Sequence, residues 1–196
     1  MILINDEKKI HPTVLMDDTA WVFGDVTMGP NCRVYAGAVI RADLDKMVFG
    51  EGVCINDNCI LHGIGVTGEG FLIGDGTNIT HGAMVHKSVI GKNCMIGIGA
   101  KVVDTVIGNN CLIAAGSVVI DRIPDFSFVA GVPGKVIKKV TEREWNIIRH
   151  SWLAQYEESF VVNNKAQKTK WIDEHKESGY ANKIENVFPE FSRIQK

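Results

Sequence analysis

Three of the six histidines, His62, His81 and His86, cluster in the middle of the chain. Three neutral imidazoles with a fourth position open to water are the donor set of a catalytic Zn²⁺. Beside them stand Arg41-Ala42-Asp43 and Asn56-Asp57, side chains of the kind that orient metal ligands through hydrogen bonds. An Arg/Asp pair in open solvent contributes under ~1 kcal/mol, so Arg41 and Asp43 gain weight only where a second surface buries them. The glycine-rich stretch 63–70, G-I-G-V-T-G-E-G, has neither the Gly-Lys-Ser/Thr ending nor the following helix of a phosphate loop. It reads as a flexible loop near the histidines, with Glu69 as its one carboxylate.

The elements that must carry these residues follow from a repeat. Large apolar residues recur every six positions at Met16, Val22, Met28, Val34 and Ile40. The phase resumes at Phe49, Ile55 and Leu61, then at Ile73, Ile79 and Val85, and runs on from Ile90 through Val119. The fourth residue after each start is small or apolar, as at Val26, Cys32, Ala38, Cys59, Ala83, Cys94 and Cys111. One large and one small inward position per hexad predicts a hexapeptide β-helix, a triangular prism with three short strands per coil. An α-helix would show 3.6-residue spacing, and a flat sheet strict alternation. Glycine and asparagine in Gly91-Lys92-Asn93 and Gly108-Asn109-Asn110 suit corners that need left-handed backbone angles.

In this register His62 and His86 follow directly on an inward residue, and His81 comes one place later, so all three should point away from the core. Asn56 and Asp57 take outward places one hexad before His62. Leu61 and Ile79 are three hexads apart, one full coil, which sets His62 and His81 on the same face of successive coils. His86 then lies around the corner. A corner between two ligands makes closure by one chain awkward, and a second subunit lending a ligand resolves it.

Nineteen of the twenty glycines lie in residues 1–134. That segment holds 9 Lys/Arg and 14 Asp/Glu, whereas 135–196 holds 12 and 9 in less than half the length. The expected division is a β-helix over 1–134, then a helix and charged tail over 135–196. Thr141 followed by Glu144 is a capping-box signal, and Trp145, Ile148, Trp152, Leu153, Tyr156 and Phe160 form one apolar helical face.

Four of the five cysteines occupy the small inward slot, so they read as core residues without disulfides or chemistry. A net charge of −2 carries no basic excess for nucleic acid or an anionic membrane. No uncharged apolar run approaches the ~20 residues of a membrane span. The N-terminus M-I-L-I-N-D-E-K-K meets charge too early for a signal peptide, so a cytoplasmic protein is expected.

The hexads together with R-A-D at 41–43, N-D-N at 56–58, L-H-G at 61–63 and I-T-H-G-A-M-V-H at 79–86 resemble the γ-class carbonic anhydrases. The resemblance covers about residues 10–140. V-P-G-K-V-I at 132–137 followed by a helix resembles the branch of phenylacetate-degradation and carnitine-operon proteins. It implies a left-handed β-helix assembling as a homotrimer with metal sites at subunit interfaces. His62 and His86 would come from one chain and His81 from its neighbour. Arg41 and Asp43 would form interface ion pairs, and Asp57 would lie near the metal-bound water. Zn²⁺, or Fe²⁺ or Co²⁺ in its place, would acidify that water for attack on CO₂, giving bicarbonate. The chain departs from the family in having Asn56 where glutamine is usual and Val129 where some members carry tyrosine. Its short loop offers only Glu69 as a proton shuttle.

Two other functions fit the repeat. An acyl-CoA thioesterase or hexapeptide acyltransferase would use a histidine as general base, which conflicts with all three being metal ligands. A metal-bearing, non-catalytic trimeric scaffold would bind a partner through its charged tail.

Overall fold

The computed structural model describes residues 8–63 and 70–146. The first compact unit runs through Thr141, and its strands pair in parallel from coil to coil. Leu15, Arg33, Cys54, Asn78, Met95, Leu112 and Phe128 stack as register partners along one face. The other two faces belong to one sheet that bends, because the long strands Trp21–Met28 and Val39–Phe49 turn a corner. Val39, Ile60, Met84, Lys101 and Val118 stack on one side of that bend. Val48, Leu72, Val89 and Val106 stack on the other. The result is a parallel β-helix of hexapeptide repeats with three faces.

The hexad period explains the core. From Met28 to Val119 every large residue that starts a hexad is at most 2% exposed. The small slot is equally closed, and it holds Cys32, Cys59, Cys94 and Cys111; all five cysteines are buried free thiols. At the N-terminal end of the prism Met16 and Val22 are only partly covered. Corners take left-handed backbone, with Asn31, Asn58, Asn93 and Asn110 at φ between 52° and 60°. Asparagine tolerates this region better than other side chains do. Gly108 answers to crowding: a Cβ there would stand 2.6 Å from the backbone nitrogen of Asp125 in the next coil.

Three expectations need correction. The coil from Leu61 to its partner Val85 is longer, by more than a full hexad, than the next one from Val85 to Val102. The difference falls on the segment 63–70, which the spacing alone counts as part of two regular hexads. His62 is therefore the partner of His86, not of His81. The division at Gly134 also moves. A turn at residues 131–134 reverses the chain, and Lys135–Lys139 pairs antiparallel with Ser127–Ala130 at the end of the sheet. K-V-I-K-K serves as a lysine-rich edge strand, the kind of edge that resists pairing with another chain. Third, Asn56 is fully buried and not outward.

Residues 142–146 are helical and open the second unit. The rest of the expected helix and the charged tail lie outside the described residues. No helix among the described residues is long and apolar enough to cross a membrane.

Candidate metal centre

His62 ends the strand Ile60–His62 and His86 ends Met84–His86. Each follows an inward residue, Leu61 or Val85, so alternation turns both imidazoles outward on one face. Their ring centroids are 5.3 Å apart, with planes inclined at 63°. The backbone fixes this pairing, since Lys87 N–H donates to His62 O at 2.9 Å just past the second imidazole.

Arg41 is the register partner of His62 on the next strand. Its Nε donates to Asp43 Oδ2, and the same carboxylate oxygen lies 3.3 Å from His62 Nε2. Asp43 thus bridges a guanidinium and an imidazole within one chain. Arg41 is half exposed and Asp43 mostly covered, so this pair has a free side available to a second surface.

His81 is placed differently. It stands on the corner between two faces, in the turn after Ile79, and is half exposed. Its Nδ1 lies 2.8 Å from Asp57 Oδ2 on the coil beneath. Among the described residues no three histidine, cysteine or acidic side chains of one chain converge on a point. The structure pairs His62 with His86, links His62 through Asp43 to Arg41, and pairs His81 with Asp57. Asn56 faces neither group. Its Nδ2 donates to Asn78 Oδ1 at 2.8 Å and to Ile79 O at 2.9 Å, while its Oδ1 is buried without a partner. Glu69 lies outside the described residues.

The donor set fits a borderline divalent cation. Imidazoles with carboxylates hydrogen-bonded behind them are the usual arrangement around zinc. Thiolate does not compete: burial pushes the Cys54 thiol up to about 12 and the Cys59 thiol up to about 11. Both stay protonated at neutral pH, and only the thiolate ligates well.

An apolar feature of the same face escaped the sequence reading. Trp21 and Phe23 stack with ring centroids 5.6 Å apart, and Phe23 is the register partner of Arg41. Trp21 is 60% exposed and Ile60, in the same row, 48%. The signal was available, because Trp21 and Phe23 flank the inward Val22 and alternation sends both outward.

The bacterial transferase hexapeptide (six repeats) family matches residues 87–121. The chain is 44% identical over 149 residues to a protein of Methanocaldococcus jannaschii described as a probable carbonic anhydrase, covering 74% of this chain and 91% of that one. It is 32% identical over 87 residues to the carnitine operon protein CaiE of Escherichia coli, a match spanning 44% of this chain and 43% of that protein. Among solved structures, a hexapeptide transferase family protein from Anaplasma phagocytophilum is 29% identical with a TM-score of 0.67, covering 74% of this chain and 86% of that one.

Proposed function

Because the chain belongs to the γ-carbonic-anhydrase-like family of hexapeptide-repeat proteins, we propose that it hydrates CO₂ to bicarbonate at a metal site shared between copies. The observation that carries this reading is the separation of the imidazoles. Two sit side by side on a face, and the third stands on a corner with its own carboxylate. A homotrimer in which the corner of one copy meets the face of the next would complete the set. His62 and His86 of one chain and His81 of another would hold Zn²⁺, with Fe²⁺ or Co²⁺ as substitutes. The ion would supply Lewis acidity that makes water a nucleophile near neutral pH.

The chain's own residues orient and enclose. Asp43 and Asp57 each hold one imidazole by a ring nitrogen, and Arg41 anchors Asp43. The apolar row of Trp21, Val39, Ile60 and Met84 runs beside the imidazoles and would exclude water once covered. A small uncharged substrate such as CO₂ suits such surroundings better than a charged one does.

Metal analysis of freshly purified protein, joined to a CO₂-hydration assay, tests the reading. About one metal per chain and hydration abolished by His81→Ala are expected. A metal-loaded trimer with no hydration would leave the site standing and overturn the activity, favouring a scaffold. The likeness to a hexapeptide transferase family protein motivates a second assay, thiol release from acyl-CoA with and without chelator. Chelator-sensitive release in the absence of CO₂ hydration would favour a thioesterase.

A further inference from the structure

The turn that carries His81 is gripped from the coil beneath it. Asn56 donates to Ile79 O from its backbone N–H at 2.9 Å and from its Nδ2 at 2.9 Å. The Cys59 thiol donates to Thr80 O at 3.1 Å. Gly82 N–H donates to Asp57 O at 2.9 Å. The backbone before and after His81 is thereby fixed, and rotation of the imidazole is what remains to be set. Asp57 sets it, through the 2.8 Å contact between its Oδ2 and His81 Nδ1.

An ionised carboxylate only accepts hydrogen bonds. The ring nitrogen facing Asp57 must then carry the hydrogen, which leaves the lone pair on Nε2 at the far side of the ring. Asn56 is closed off from solvent, so it can act outward only through this turn. We propose that Asp57, seated on the floor formed by Asn56 and Cys59, is a positioning residue that locks His81 in the Nδ1–H tautomer and presents Nε2 to the metal. This rests on the reading of His81 as a metal ligand, and it replaces the role beside the reacting water that the family resemblance implies for Asp57. A carboxylate behind a ligating histidine raises the ligand's basicity as well as fixing its orientation, and its loss typically costs about 10–100-fold in metal affinity.

The tautomer can be read directly by long-range ¹H–¹⁵N NMR of histidine-labelled, metal-free trimer. His81 is expected in the Nδ1–H form, moving towards the Nε2–H form in Asp57→Ala. Zinc affinity, measured by competition with a chromophoric chelator, should fall about 10–100-fold in the same variant. Asp57→Asn keeps an oxygen acceptor and should retain the Nδ1–H form and most of the affinity. A tautomer unchanged in Asp57→Ala would overturn the proposal. So would turnover per metal that collapses in Asp57→Asn at unchanged affinity, because Asp57 would then act on the reaction itself. Zinc affinity insensitive to His81→Ala would instead remove the ligand assignment, and the tautomer readout keeps the two failures apart.

Discussion

His62 and His86 stand one full coil apart in the chain yet face each other on directly paired strands, ring centroids 5.3 Å apart. The parallel ladder makes them neighbours, and alternation about Leu61 and Val85 turns both outward. As ligands, two imidazoles at this separation would leave a divalent ion short of a third nitrogen. The third candidate, His81, stands in a turn at a corner of the same chain beside Asp57, and in the proposed site it would come from another copy.

Assembly should therefore depend on the apolar row beside the imidazoles. Trp21 is 60% exposed and stacked on Phe23, the profile of an aromatic that anchors an interface. Trp21→Asp is expected to leave the melting transition of the β-helix nearly unchanged and to weaken trimer formation about thirtyfold. Sedimentation velocity across a dilution series reads the change. A trimer indifferent to this substitution would place the interface on another face.

Gly24 sits where the strands Trp21–Met28 and Val39–Phe49 shift register. Its φ is +81°, and a Cβ there would fall 1.9 Å from the backbone oxygen of Ala42. Gly24→Ala must move a strand that carries Arg41 and Asp43, so the cost should exceed the roughly 1 kcal/mol of strain alone. Gly52 has a similar positive φ of +63° with open space around it. Gly52→Ala should cost only the strain, and denaturant midpoints compare the two.

The thiols give a pH signature. Burial holds Cys54 at about 12 and Cys59 at about 11, well above the ordinary thiol range. Below about pH 8.5 the thiols are protonated in folded and unfolded chains alike and exert no effect. Between that value and the raised ones, the unfolded chain releases protons that the folded chain keeps, so stability falls as pH rises. Each group contributes a slope of about 1.4 kcal/mol per pH unit in that window. Urea unfolding from pH 8 to pH 11, repeated on a Cys54→Ala, Cys59→Ala double variant, should show the slope shrink.

Much of this was legible in the residues, for a physical reason. A prism core admits one large and one small side chain per face, so the hexad register from Met28 to Val119 could be read directly from spacing. Vertical pairing could not, because the extra length at 63–70 keeps the hexad phase while adding to the coil. That ambiguity pairs His62 with His81 by arithmetic, where the hydrogen-bonded ladder pairs it with His86. Asn56 misleads in another way. One place past an inward residue usually means outward, but at this corner its amide folds back onto Ile79 and Asn78. The strand at Lys135–Lys139 was hidden by its lysines, which suit an edge as well as a tail.

The proposed shared site is tested most directly by exchanging subunits between two variants that should each be inert. His81→Ala lacks the corner ligand and His86→Ala lacks a face ligand. Mixed trimers should rebuild intact sites wherever a face from the first variant meets a corner from the second. Metal content and CO₂ hydration should then return to about a quarter of the wild-type level, the chance of that pairing in a random ring. Exchange that demonstrably mixes the subunits but restores neither metal nor activity would contradict the account, as would full activity in either variant alone.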